Sequence, residues 1–123
     1  YRMINCIIVG IGGFVGAVLR YLIGLIPASP QSGFPIKTLL INIIGAFVIG
    51  LVVALGGKKE WNPQLILFLK VGLCGGFTTF SSFALETNQL IGQGNLWGAA
   101  LYVGLSVIGA VAAVYVAQFL FAR

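Results

Sequence analysis

Gly75-Gly76-Phe77-Thr78-Thr79-Phe80-Ser81-Ser82-Phe83 interrupts an apolar segment that is otherwise built to sit in lipid. Adjacent glycines weaken a helix, and a lipid-buried backbone must find its hydrogen bonds within the protein. Four hydroxyl side chains follow the glycines, interleaved with aromatic rings. Such a segment at membrane depth predicts a broken helix beside an ion site or a pore.

The rest of the chain agrees with a membrane setting. Of 123 residues, 59% are hydrophobic and 7% charged, and the mean hydropathy is +1.08. Soluble domains carry roughly a quarter charged residues. The length accommodates about four spans of ~20 residues. They are expected at about 6–26, 35–55, 63–91 and 97–121, giving an all-α fold and one transmembrane domain over 1–123. The turn Pro27-Ala28-Ser29-Pro30-Gln31-Ser32-Gly33 and the polar stretch Gly56-Gly57-Lys58-Lys59-Glu60 separate the first three. Pro35 suits a first helical turn, and Trp61 and Trp97 suit the membrane interface. The third span is too long for one straight crossing. The first span is expected to be retained, because it lacks an A-x-A-like cleavage site and is too long for a signal core.

Arg2, Lys58, Lys59 and Arg123 fall on one side of the membrane, with Lys70 close to them; Lys37 falls on the other, with Arg20 nearby. The positive-inside rule then puts both termini in the cytoplasm. The net charge of +5 fits this loop bias or anion attraction. Nucleic-acid binding is not expected, for want of a basic stripe.

Catalysis is poorly supplied. The chain has no histidine or aspartate, and its carboxylates are Glu60, in a polar loop, and Glu86. Cys6 and Cys74 belong to different spans and read as small packing residues. An enzyme is not expected. Gly12, Gly16, Gly13, Ala17, Gly45, Gly50, Gly104 and Gly109 form small faces of the kind that let helices approach in lipid.

Polar residues within the spans point further. Thr38 and Asn42 share a helix face with Gly45, Tyr102 and Ser106 repeat the i, i+4 spacing, and Phe80 and Phe83 share a face with Glu86 or Thr87. Counted from the nearer ends of their spans, Arg20, Asn42 and Glu86 all lie ~10 Å inside the same boundary at ~1.5 Å per residue. Arg20 could snorkel outward or pair with Glu86. Intramembrane ionisable groups are candidates for function, here as a vestibule.

In order, Gly12-Gly13-x-x-Gly16-Ala17-x-x-Arg20-Tyr21, Thr38-Leu39-x-x-Asn42-x-x-Gly45 and Gly72-x-Cys74-Gly75-Gly76-Phe77-Thr78-Thr79-Phe80-Ser81-Ser82-Phe83 resemble the CrcB-type, or Fluc, fluoride channels of prokaryotes over essentially the whole chain. That resemblance implies an antiparallel, dual-topology homodimer in the inner (plasma) membrane, surrounded by lipid, with two pores that let fluoride leave the cell. Phe80 and Phe83 would line the path with ring edges, and Asn42 would donate a hydrogen bond near Arg20. The carbonyls of Gly75 and Thr78 would hold a central, structural sodium ion. Thr79, Ser81 and Ser82 fall in the hydroxyl-rich stretch, and Thr38, Tyr102 and Ser106 fall along the polar pathway. The chain departs from some relatives at Ala110, one turn past Ser106, where they carry another hydroxyl.

The residues suit that chemistry. Fluoride is small and strongly hydrated, so a pore must replace water with hydroxyls, an amide N–H₂ or the positive edges of rings. Binding must also be weak enough to release the ion. A small dual-topology, proton-coupled multidrug exporter is the alternative, but such proteins depend on a glutamate in the first span, where this chain has Arg20. A fixed-orientation heterodimer would suit the unequal charge; the complete set of motifs favours a homodimer.

Overall fold

The computed structural model describes residues 1–27, 30 and 32–122. Ala28, Ser29 and Gln31 of the expected first turn, and Arg123 of the expected cytoplasmic charge set, lie outside the described residues. Helices α1 (Arg2–Gly24), α2 (Ile36–Lys58) and α6 (Leu96–Phe121) are continuous. Between α2 and α6 the chain forms α3 (Pro63–Leu67), a π-helical stretch (Phe68–Cys74), α4 (Gly75–Phe77) and α5 (Phe80–Gly92). Four spans, Arg2–Gly24, Ile36–Lys58, Pro63–Gly92 and Leu96–Phe121, are long and apolar enough to cross a membrane.

Several boundaries differ from the sequence expectation. Helix α1 starts at Arg2 rather than near Cys6 and stops at Gly24, and α2 runs through Gly56 and Gly57 to Lys58. Gly56 stays helical, and its smallness serves packing, because a Cβ there would lie 3.0 Å from Ile66 Cδ1. Pro35 precedes the first turn of α2 instead of lying in it. The turn after α2 closes with Glu60 at φ 52° and a Trp61 N–H to Gly56 carbonyl bond of 3.0 Å. The turn after α5 is closed in the same way by Gly94 at φ 80°, with Asn95 N–H donating to the Leu90 carbonyl. Both are left-handed helix endings of the Schellman kind.

Asn62 caps α3 by accepting from Gln64 N–H at 2.8 Å, with Pro63 at the first helical position. Asn95 caps α6 by accepting from Gly98 N–H at 2.9 Å.

Small residues set the helix spacing. A Cβ on Gly12 would lie 2.9 Å from Gly72 Cα, and one on Gly76 would lie 2.8 Å from Gly13 Cα. These contacts bring α1 backbone to backbone against the π-helical stretch and α4. Opposite, a Cβ on Gly50 of α2 would lie 2.9 Å from the Val114 carbonyl oxygen of α6. In lipid, where apolar burial no longer drives association, such close packing does. Helix α2 is the most enclosed span. Where α2 and α6 begin and α5 ends, Leu39, Leu90, Ala99 and Tyr102 form a core cluster.

Candidate functional site

The break in the third span falls at Thr78–Thr79, two residues beyond the glycines. Gly75 keeps helical dihedrals (φ −62°, ψ −38°), whereas Thr78 (ψ 158°) and Thr79 (φ −150°) are extended. Gly76 serves the contact with Gly13; the threonines make the break. Its backbone groups are taken up one by one. Asn42, on α2, accepts from Thr79 N–H at 2.8 Å through Oδ1 and donates to the Thr79 carbonyl at 3.1 Å through Nδ2. Arg20, on α1, donates through Nε to the Gly76 carbonyl at 3.3 Å. Thr79 Oγ1 caps α5 by accepting from Ser82 N–H at 3.1 Å, and Thr78 Oγ1 donates to the Cys74 carbonyl at 2.9 Å.

In a continuous helix, Thr79 N–H would donate to the Gly75 carbonyl and Ser82 N–H to the Thr78 carbonyl. Both amides are used elsewhere, so the break takes their helical donors from the two carbonyls expected to bind sodium. A Cβ on Gly75 would meet nothing within 4 Å, so that surface is open. Among the described residues, no group of three or more His, Cys, Asp or Glu side chains could hold a metal. Backbone carbonyl oxygens are suitable ligands for a hard cation. The residues present therefore fit the ion.

Two cavities meet at Thr79. The outer one, about 440 Å³, is lined by Arg20, Lys37, Thr38, Thr79, Ser82 and Glu86, among others. Glu86 accepts from Thr38 Oγ1 at 3.0 Å on one carboxyl oxygen and from Tyr102 Oη at 3.2 Å on the other. Lys37 donates to the Gly24 carbonyl at 3.1 Å, beyond the end of α1. Two cations and one carboxylate thus line this mouth. That balance favours an anion.

The inner cavity, about 330 Å³, is lined by Asn42, Thr78, Thr79, Phe80, Phe83, Ser106, Val107, Ala110 and Val111. Phe80 and Phe83 lie 5.5 Å apart between ring centroids. Ser106 Oγ is buried and has no hydrogen-bond partner. Past Ser106 the wall is Val107, Ala110 and Val111, so polarity stops there. Phe80 is 79% exposed and Val111 66%, which leaves one side of this cavity open.

Of the expected site residues, Arg20, Thr38, Ser82 and Glu86 gather at the outer cavity, and Asn42, Thr78, Phe80, Phe83 and Ser106 at the inner one, with Thr79 in both. Arg20 bonds the Gly76 carbonyl rather than Glu86. Ser81 is exposed, 3.3 Å from Thr79 Oγ1. Tyr102 is fully buried, and its hydroxyl bonds Glu86, which lines the outer cavity. Lys37 and Phe34 also line the mouth. Lys37 figured only as a topology charge and Phe34 carried no role; an aromatic residue directly before Pro35, at the entry to a span, was the available signal.

Residues 7–118 match the family model described as "CrcB-like protein, Camphor Resistance (CrcB)". The chain belongs to the CrcB family. Relatives carry the name "Fluoride-specific ion channel FluC". One from Prosthecochloris aestuarii is 42% identical over 115 residues, covering 93% of this chain and 90% of its own. One from Shewanella halifaxensis is 43% identical over 117 residues, covering 94% of each. One from Chlorobium luteolum is 44% identical over 115 residues, covering 91% of this chain and 88% of its own. Conserved length leaves this CrcB-family chain no large insertion or deletion relative to them. Its break, cavities and small-residue faces all fall inside the matched stretch.

Proposed function

We propose that this chain is a fluoride channel, not an enzyme, and that two copies inserted in opposite orientations form an antiparallel homodimer in the prokaryotic plasma membrane. Fluoride would leave the cell passively through two pathways along the dimer interface, each built from both chains, which lowers its toxicity in the cytoplasm. The observation that carries this is the inner cavity. There an amide, hydroxyls and two phenylalanine rings converge on a space whose remaining wall the chain does not supply. The names and high coverage of the relatives support fluoride as the ion.

Each residue then has a task. Arg20 and Lys37 draw the anion to the mouth, where the hydroxyls of Thr38, Thr79 and Ser82 begin to replace its water, with Ser81 beside them. Asn42 uses one amide hydrogen on Thr79. Its second hydrogen is left to donate to the ion. Phe80 and Phe83 offer positive ring edges, which attract an anion without the grip of a full charge. Ser106 offers its unpartnered hydroxyl. Tyr102 and Thr38 hold Glu86, and hydrogen bonds on both of its oxygens weaken its repulsion of the anion.

The Gly75 and Thr78 carbonyls of both protomers would hold the sodium ion, which supplies fixed positive charge between the pathways. A proton-coupled multidrug exporter has less support, because the first span carries Arg20 and no acid. The deciding experiment is efflux of fluoride, against chloride, from liposomes holding the purified protein. Fluoride release with chloride retained is expected; no fluoride release, or equal release of both, overturns the proposal.

A further inference from the structure

Phe34 stands at the start of a line of rings that leads from the mouth to the inner cavity. It precedes Pro35, and a residue before proline is confined largely to extended backbone. Ile36 N–H donates to its carbonyl at 2.8 Å, which tightens the entry to α2. The Phe34 ring meets Tyr102 edge to face, with centroids 5.6 Å apart and planes at 77°. Tyr102 is 0% exposed, within a core shared with Leu39, Leu90 and Ala99, and it also meets the Phe83 ring at 5.2 Å. Phe83 in turn lies 5.5 Å from Phe80.

Tyr102 therefore sits between a ring at the mouth and a ring of the ion path, and its hydroxyl is fixed on Glu86. Close-packed interiors transmit displacement rather than absorb it. The Phe34 ring also borders the outer cavity, so removing it gives Tyr102 room to move on that side. Phe83 would lose its backing.

We propose that Phe34 is a positioning residue of the ion path: through Tyr102 it sets the ring orientation of Phe83 and the placement of the Glu86 carboxylate. Its consequence for conduction rests on the fluoride-channel function above, whereas its effect on Phe83 does not. Phe34→Leu keeps an apolar side chain and removes the ring, and Phe34→Tyr keeps the ring.

The test uses full-length protein carrying 4-fluorophenylalanine at position 83, with variants eluting at the wild-type volume. In Phe34→Leu the fluorine resonance at position 83 shifts or broadens, and fluoride efflux from liposomes slows by roughly three- to tenfold, the scale of one aromatic pair. Phe34→Tyr restores both. If Phe34→Leu yields no folded protein, Phe34→Met serves in its place. An unchanged resonance in the ring-less variant, or a change that the tyrosine variant fails to reverse, overturns the proposal. A wild-type protein that passes no fluoride would refute the channel function, while the resonance still decides the role of Phe34.

Discussion

Asn42→Ala separates the two jobs given to that side chain, and its size follows from what the alanine leaves behind. The amide holds both backbone groups of Thr79, accepting from N–H at 2.8 Å and donating to C=O at 3.1 Å. A buried backbone group left without a partner costs about 1–3 kcal/mol. Thr79 borders both cavities, so water can reach it, and the lower end applies to each group. The pair is then worth about 2 kcal/mol, or a ~30-fold shift away from the working break. Fluoride efflux from liposomes should fall by about that factor.

Asn42→Asp distinguishes the cause. An aspartate keeps an oxygen for Thr79 N–H, so as a backbone clamp it should outperform alanine. As part of the ion path it should be worse. It lacks the amide hydrogens, and its charge repels an anion ~4 Å away by about 4 kcal/mol at the effective dielectric of a protein surface. The expected order of efflux is wild type, then Asn42→Ala, then Asn42→Asp. Asn42→Asp conducting better than Asn42→Ala would refute the pathway role. Asn42→Ala within about threefold of wild type, as intact dimer, would refute the clamp.

Phe80→Ile and Phe83→Ile should each reduce fluoride efflux strongly with the dimer retained. Phe83→Ile should also lower stability by about 1–3 kcal/mol more than Phe80→Ile, because only Phe83 packs against Tyr102. Wild-type flux in both would remove the ring-edge mechanism. Gly16→Ala places a Cβ against the Leu73 carbonyl and 2.7 Å from Phe77 N, both backbone atoms, and should destabilise the protein by about 1–3 kcal/mol in a detergent unfolding titration. Gly10→Ala, inside α1 where nothing lies within 4 Å, is the control and should be unchanged or stabilised by up to ~1 kcal/mol; equal midpoints for the two variants would discredit the close packing of α1. Protein unfolded and refolded with N-methylglucamine as the sole cation should fail to recover its native dimer until sodium is added, and equal recovery without sodium would remove the carbonyl site.

The general plan was legible because its signals are local. Hydropathy marked four spans, and the overlong third one, with its hydroxyls and glycines, marked the interruption. Depth counting placed Arg20, Asn42 and Glu86 at one level, and Arg20 and Glu86 do line the same cavity. The partners were not legible. Arg20 bonds a carbonyl 56 positions along the chain, and Asn42 bonds a residue 37 positions along. No local pattern encodes which carbonyl on another helix will lack its own amide. The glycines misled for a related reason. Their cost within a helix is ~1 kcal/mol each, which the approach of Gly76 to Gly13 offsets; both remain helical, and the chain opens later, at the threonines. The π-helical turn over Phe68–Cys74 leaves no compositional mark at all.

The break explains why the proposed ion path and the proposed cation site fall on one short segment. Extended backbone at Thr78–Thr79 can persist in lipid only if other groups satisfy it, and α1 and α2 send in Arg20 and Asn42 to do so. Diverting those amides frees the Gly75 and Thr78 carbonyls, and restarting the helix at Phe80 aims a ring out of the protomer. Under the proposed function, the same rearrangement supplies acceptors for a cation and a donor-lined cavity for an anion. Phe80, at 79% exposure, and the open surface at Gly75 lack the second wall that both proposed sites would need. Lipid could cover the ring, but it offers nothing to the carbonyls. A second copy of the same segment would complete both at once.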